Sequence, residues 1–312
     1  MSIPALDLQA LDTQTLTRAC EDWGVFYLVG HDLSTELRNR TAAVVEEFFS
    51  APKAHKHSIL RTDTNCWGYF DQELTKNQQD WKEIFDIGPA QPDGPLAGAI
   101  PQWPDNAGFR ECISELNDIL HATAIEVVSA ITRQLSDTPT ATALVQDAFE
   151  QHSSFLRINW YPPCPTPYTS PKQADTTLSA SGGDLGIHHH TDAGAVTVLM
   201  QDEVPGLQVY NQGAWHSVAA DTDALVINIG DIVQVWSNDR FVAPLHRVLA
   251  NANQTRISIP YFLNPDYSYD YHPLTQEQPL YNAINWGTFR AGRSAGDYAD
   301  QGEEIQISHF RR

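Results

Sequence analysis

Two histidines and a carboxylate, His190-Thr191-Asp192 and His246, followed by Arg256-Ile257-Ser258, constrain this chain more than any other feature. Side chains at i and i+2 of an extended segment project from the same side, so His190 and Asp192 can both reach one ion. The third ligand must come from a strand that folds back, and His246 lies 54 residues beyond Asp192. Two histidines and one carboxylate can occupy one face of an octahedral ion and leave three positions open, the arrangement suited to non-haem Fe(II) and oxygen chemistry. Arg256 follows closely enough to set a guanidinium, and with Ser258 a hydroxyl, beside the metal.

Composition narrows the partners. At 312 residues the chain can bury a sizeable core, and 8 Trp, 11 Tyr and 12 Phe mark a packed globular protein. A net charge of −20, from 19 basic and 39 acidic residues, is repelled by phosphate backbones and anionic membranes. The longest basic run is Arg311-Arg312. The expected partner is therefore a small molecule, with no nucleic acid and no membrane, and the chain is expected to be a monomer or weak homodimer. Cys20, Cys66, Cys112 and Cys164 are widely separated, and no basic-then-apolar leader opens the chain. A cytoplasmic location with reduced thiols is the expectation. Asn253-Gln254-Thr255 reads as a chance glycosylation triplet.

Periodicity divides the chain near residue 150. Residues 1–150 read mainly as helix: Asp12 can cap one carrying Leu16, Ala19, Cys20 and Trp23, stopped by Gly24. Ser34 can cap a second bearing Leu37, Val44, Val45, Phe48 and Phe49. A longer helix spans about 107–135, with an apolar stripe through Phe109, Ile113, Leu116, Leu120, Ala124, Val127, Val128 and Ile131, suited to lying along a sheet. From Phe155 onward short strands dominate, clearest at Val196–Met200, Leu207–Tyr210, Ala224–Ile229, Val233–Trp236 and Arg256–Leu263. Such strands suggest a sandwich or jelly roll. The stretch from Pro162 to Gly183 reads as a loop near the site entrance. Residues 1–150 are expected to pack on a 151–312 jelly-roll region as one cooperative unit.

The text around the triad is more specific than the triad. Gly206-Leu207-Gln208-Val209, Ala224 through Asp231, His246-Arg247-Val248 and Arg256 through Phe262 join it. Ile3-Pro4-Ala5-Leu6-Asp7, Asp22-Trp23-Gly24-Val25-Phe26 and Arg157-Ile158-Asn159-Trp160-Tyr161-Pro162-Pro163 extend the pattern, as does the tail Gly296 through Glu304. Across nearly its whole length the chain resembles the 2-oxoglutarate- and Fe(II)-dependent dioxygenases. The relevant branch includes isopenicillin N synthase, anthocyanidin synthase and the plant gibberellin oxidases. One departure is His31-Asp32, where the family usually has His-Gly.

That resemblance implies a mainly β fold, a double-stranded β-helix with flanking helices, one of them long and buttressing. It implies iron on His190, Asp192 and His246, with 2-oxoglutarate and O2 as cosubstrates and ascorbate as an accessory reductant. Arg256 and Ser258 would grip the distal carboxylate of 2-oxoglutarate, with Tyr161 donating to it and Asn159 nearer the metal. The expected reaction oxidises an unactivated C–H bond of a small organic molecule, by hydroxylation, desaturation or cyclisation, and releases succinate and CO2.

His188 with His190 suggests a cupin His-x-His, but that motif needs a glutamate soon after, and 193–195 are Ala, Gly and Ala. Arg256 could pair internally with Asp231 or Asp239, since a buried unpaired charge is costly. Phe262 is a substrate-packing ring or a core phenylalanine. Trp67, Tyr69 and Phe70 are candidates for the pocket roof, and Arg290 and Arg293 either draw an anionic substrate or form a solvated face. Isopenicillin N synthase and aminocyclopropane-carboxylate oxidase keep the triad and the Arg-x-Ser pair without using 2-oxoglutarate. The pair therefore implies a bound carboxylate without saying whose. A non-catalytic jelly-roll binding protein would be marked by a broken triad, and this triad is intact.

Overall fold

The computed structural model describes residues 2–90, 97–169, 182–275, 277–298 and 303–312. The chain starts with β1 (Ala5–Asp7), α1 (Thr13–Asp22), β2 (Val25–Val29), α2 (Thr35–Ser50) and α3 (Lys53–His57). Next come β3 (Gly68–Phe70), β4 (Leu74–Thr75), β5 (Gln78–Gln79), β6 (Glu83–Ile87), α4 (Ala107–Thr132) and α5 (Thr138–Phe149). Strands β7 (Phe155–Tyr161), β8 (Leu185–His190), β9 (Val196–Gln201), β10 (Leu207–Asn211), β11 (Ala214–Ser217) and β12 (Leu225–Ile229) lead to α6 (Asp231–Trp236). Strands β13 (His246–Leu249), β14 (Arg256–Leu263), β15 (Asp270–Tyr271) and β16 (Ile284–Asn285) precede α7 (Trp286–Tyr298).

Two sheets face each other as a jelly roll. The larger has the order β1-β2-β12-β9-β14-β7-β6-β3, the smaller β11-β10-β13-β8. Alternation sorts the larger sheet's side chains. On β14, Arg256, Ser258, Pro260 and Phe262 line the cavity between the sheets, whereas Ile259, Tyr261 and Leu263 enter the core on the opposite face. That back face packs on α4, whose stripe through Phe109, Ile113, Leu116, Leu120, Ala124, Val127 and Ile131 is buried as the sequence predicts. Each large apolar side chain so buried contributes roughly 1.5–3 kcal/mol. Its N-cap is Asn106, whose side chain accepts from the Phe109 N–H, as Asp12 and Ser34 do for α1 and α2.

Two expectations are corrected. Val233–Trp236 belongs to α6 rather than a strand. A short apolar run buried on every side has no period to read, and Gly230 with Asp231 starts a helix there. Residues 1–150 are not simply a helical layer, because β1, β2, β3 and β6 join the larger sheet and the boundary near 150 runs through it. β1 and β3 have three residues each, β2 (Val25-Phe26-Tyr27-Leu28-Val29) is too uniformly apolar to alternate, and β6 breaks alternation with the adjacent Ile84 and Phe85. Within the predicted 162–183 loop, 170–181 lie outside the described residues, as do 299–302 of the tail. No described helix is long and apolar enough to cross a membrane.

Candidate active site

Strand register brings the separated motifs together. His246 on β13 pairs directly with His190 on β8. Their rings lie 4.3 Å apart, and one donor atom each from His190, Asp192 and His246 falls within a 4.8 Å cluster. His190 Nδ1 donates to the His188 carbonyl at 2.8 Å and His246 Nδ1 to the Pro244 carbonyl at 3.0 Å. Both Nε2 lone pairs are thereby turned toward Asp192 Oδ1, 3.8 and 3.6 Å away. Burial first, then the facing His246, pushes His190 well below the ordinary imidazole pKa, so the ring is neutral and able to ligate. The second Asp192 oxygen accepts from Thr197 Oγ1 at 2.6 Å and the Asn228 amide at 3.4 Å, which leaves Oδ1 for a metal. Two imidazole nitrogens and one carboxylate oxygen on one side of a cavity fit Fe(II).

The turn after His190 is held just as closely. A Cβ on Gly230 would sit 2.1 Å from the Gly194 carbonyl oxygen, so only glycine lets the start of α6 approach this segment. His188 is tied elsewhere, its ring nitrogen to Asp80 at 3.0 Å. It stays out of the donor cluster, in keeping with the rejected cupin pattern.

Beside the triad, Arg256 is opposite Tyr161 in register and Ser258 opposite Asn159. Arg256 is 1% exposed. Its Nε donates to the Val204 carbonyl at 3.1 Å and Nη2 to Gln201 Oε1 at 3.4 Å, while Nη1 is buried without a partner. Neither Asp231 nor Asp239 reaches it, which removes the internal ion-pair alternative: Asp231 pairs with Arg293 and Asp239 with Arg311. Ser258 Oγ lies 3.3 Å from the Tyr161 hydroxyl and 3.4 Å from the Asn159 amide nitrogen, and Asn159 Oδ1 is also unpartnered. A buried cation with an unused donor, flanked by two hydroxyls, is an arrangement that a carboxylate would fit.

Residues 152–265 match the 2OG-Fe(II) oxygenase superfamily, and residues 3–106 match the N-terminal region described for the non-haem dioxygenase in morphine synthesis. Gibberellin 2-beta-dioxygenase 1 of Arabidopsis thaliana is 30% identical over 302 residues, covering 92% of this chain and 87% of the relative. This chain belongs to the 2OG-Fe(II) oxygenase superfamily. An Ocimum basilicum oxoglutarate-dependent flavonoid 7-O-demethylase is 31% identical, covering 84% of the oxygenase and 68% of the relative. The crystal structure of JOX2 in complex with 2OG, Fe and JA superposes with a TM-score of 0.79 at 26% identity, covering 99% of this chain and 88% of that one. Iron and 2-oxoglutarate are therefore the oxygenase's cofactors.

The cavity beyond the triad has a volume of about 490 Å³. Trp67 and Phe262 line it, joined by Phe155, which lies 5.9 Å from Trp67 and 4.8 Å from Phe262 between ring centres. Three substrate candidates fall elsewhere. Tyr69 is in the core, donating its hydroxyl to Glu83, and Phe70 lies under the Arg61 guanidinium rather than on the cavity wall. Both follow from β3 pairing with the outer side of β6 at the sheet edge. Arg290 lines the cavity, whereas Arg293 is fully buried behind the triad, so a solvated face is excluded for Arg293.

Sequence reading missed Thr197, Asn228 and the charged wall of Arg61, Glu73, Lys82, Asp86 and Arg157. The first two left a signal, a polar residue inside an apolar strand (Val196-Thr197-Val198 and Ile227-Asn228-Ile229). In the wall, Arg157 grips Asp86 through two bonds of 2.7 Å and reaches Glu73 at 3.0 Å. Burial alone would raise the Glu73 pKa, but Arg157, Arg61 and Lys82 outweigh it and bring it down to about 2. A depressed carboxylate contributes stability that is present above its unfolded value of 4.5 and lost as pH falls toward 2. The contribution is roughly 3 kcal/mol. Glu73→Gln should therefore lower the urea midpoint at pH 6, with its gap to wild type narrowing toward pH 3. A gap independent of pH contradicts this.

Proposed function

We propose that His190, Asp192 and His246 hold Fe(II), that Arg256, Ser258 and Tyr161 hold the distal carboxylate of 2-oxoglutarate, and that the oxidised substrate is a small organic acid. The buried Arg256 carries this reading, because its unused guanidinium nitrogen needs an anion and a carboxylate is the planar partner it fits best. Asn159, beside Ser258, would face the 2-oxo acid end. Fe(II) with 2-oxoglutarate and O2 supplies the oxidising power for C–H cleavage, with release of succinate and CO2.

The chain's own residues do the rest. Thr197 and Asn228 orient the Asp192 carboxylate, the backbone carbonyls of His188 and Pro244 fix both imidazole tautomers, and the aromatic wall excludes water. Trp67, Phe155 and Phe262 suit an apolar, ring-bearing substrate body. Arg61, Lys82, Arg157 and Arg290 on the same cavity, against Glu73 and Asp86, make it rich in cations within a protein of net charge −20. That contrast supports an acidic substrate. A cytoplasmic, monomeric or weakly dimeric protein belongs to the same proposal, supported by the strong acidity and the four free thiols.

The test is a panel of aromatic and alicyclic carboxylic acids assayed beside their methyl esters, with Fe(II), 2-oxoglutarate and O2. Succinate release should be stimulated by some acids and at least about tenfold less by their esters, the loss expected when a buried charge partner goes unpaired. Equal stimulation by acid and ester rules out the acidic class.

A further inference from the structure

We infer that Arg293 is a positioning residue for the metal ligands, acting through Thr191, the residue between His190 and Asp192. This rests on the triad being the iron site. Arg293 comes from α7 and is 1% exposed. Its Nη2 donates to both the carbonyl oxygen and Oγ1 of Thr191, each at 3.1 Å. Its Nη1 donates to Gln306 Oε1 at 2.7 Å and to Asp231 Oδ2 at 3.3 Å. Asp231 closes the circuit, because its backbone N–H donates to the Asp192 carbonyl at 2.8 Å. The Ile232 N–H does the same for Gly194 at 3.1 Å.

The ligand turn is therefore held from two sides. The start of α6 grips the backbone of Asp192 and Gly194, and Arg293 Nη2 grips Thr191. The His190 ring and the Asp192 carboxylate have their own partners, but the angle between them is set by the backbone at Thr191. β8 ends at His190, so no ladder fixes the backbone beyond it. One guanidinium nitrogen donating to both oxygen atoms of Thr191 restricts that backbone as a single bond cannot.

Stability alone accounts poorly for such an arrangement. A buried ion pair gains little over well-packed apolar groups of the same volume. What the pair does provide is a defined geometry one residue from two ligands. It also joins that geometry to the C-terminal segment through Gln306.

The full-length protein tests this with Arg293→Met, Arg293→Lys and Thr191→Val, each below its own melting temperature. Fe(II) affinity is read by chelator competition, and ligand geometry by the metal-to-ligand absorption band with Fe(II) and 2-oxoglutarate under anaerobic conditions. Arg293→Met should weaken Fe(II) binding by about 10- to 100-fold, as loss of partners behind metal ligands does, and shift the band. Arg293→Lys should recover part of the affinity. Thr191→Val should weaken binding alone, and by a smaller factor in the Arg293→Met background, because both act on one contact. Fe(II) affinity within twofold of wild type, or tighter, overturns the inference whatever happens to melting temperature, and so do fully multiplicative effects. If Arg293→Met does not fold, Arg293→Lys and Thr191→Val decide by the same thresholds. Failure of the wild type to bind Fe(II) would instead overturn the iron-site reading.

Discussion

His190→Ala is expected to reduce Fe(II) binding and 2-oxoglutarate turnover to background while the chain remains folded. The site offers three donor atoms, and with one imidazole removed the remaining histidine and carboxylate no longer cap one face of an octahedral ion. The fold has little stake in the ring, whose structural bond is a single Nδ1–H to the His188 carbonyl. Asp192→Ala should lose the metal equally and cost more stability, because it strands Thr197 Oγ1 and the Asn228 amide in a buried site. Each unsatisfied group costs about 1–3 kcal/mol. Equilibrium dialysis of Fe(II) with thermal melts separates the two effects. Residual stoichiometric, tight binding by His190→Ala would exclude it as a ligand.

Arg256→Met should separate stability from cosubstrate binding. Without 2-oxoglutarate, the substitution removes a buried cation with an unpartnered nitrogen but strands the Val204 carbonyl and Gln201 Oε1 that the guanidinium now serves, so the two effects offset and the melting temperature should change little. With 2-oxoglutarate, the variant loses the charged half of a buried pair, worth about 2–5 kcal/mol, or roughly 30- to several-thousand-fold in affinity. Thermal melts with and without the cosubstrate check both halves. An equal shift on adding 2-oxoglutarate to wild type and Arg256→Met would remove Arg256 from the carboxylate site.

The residues that hold the site together were legible in proportion to how local their signals are. Arg256-x-Ser258 and Asn159-x-Tyr161 are pairs at i and i+2 within β14 and β7, so alternation can be read directly from their spacing, whereas His190-x-Asp192 straddles the end of β8. His246 follows from the family pattern, but its pairing with His190 on the neighbouring strand depends on a register that no local window contains. The α4 stripe was readable because 26 residues average out local noise. α6 was misread because its few apolar residues carry no period. The Trp67–Phe155–Phe262 wall, the Arg157–Asp86 fork and the Arg293–Thr191 contact each join segments that only tertiary packing brings together. For Arg293 in particular, sequence leaves a substrate anchor and a solvated charge both open, because it does not show that α7 turns the side chain inward behind the triad.

The most direct test of the account is an anaerobic titration of the wild-type protein with Fe(II) and then 2-oxoglutarate, followed by admission of O2. A visible metal-to-ligand absorption band is expected that appears only when both are present, requires His190 and Arg256, and decays with oxygen as succinate forms. Absence of the band from metal-loaded protein, or full oxidative turnover of a substrate without any added or co-purified 2-oxoglutarate, would contradict it.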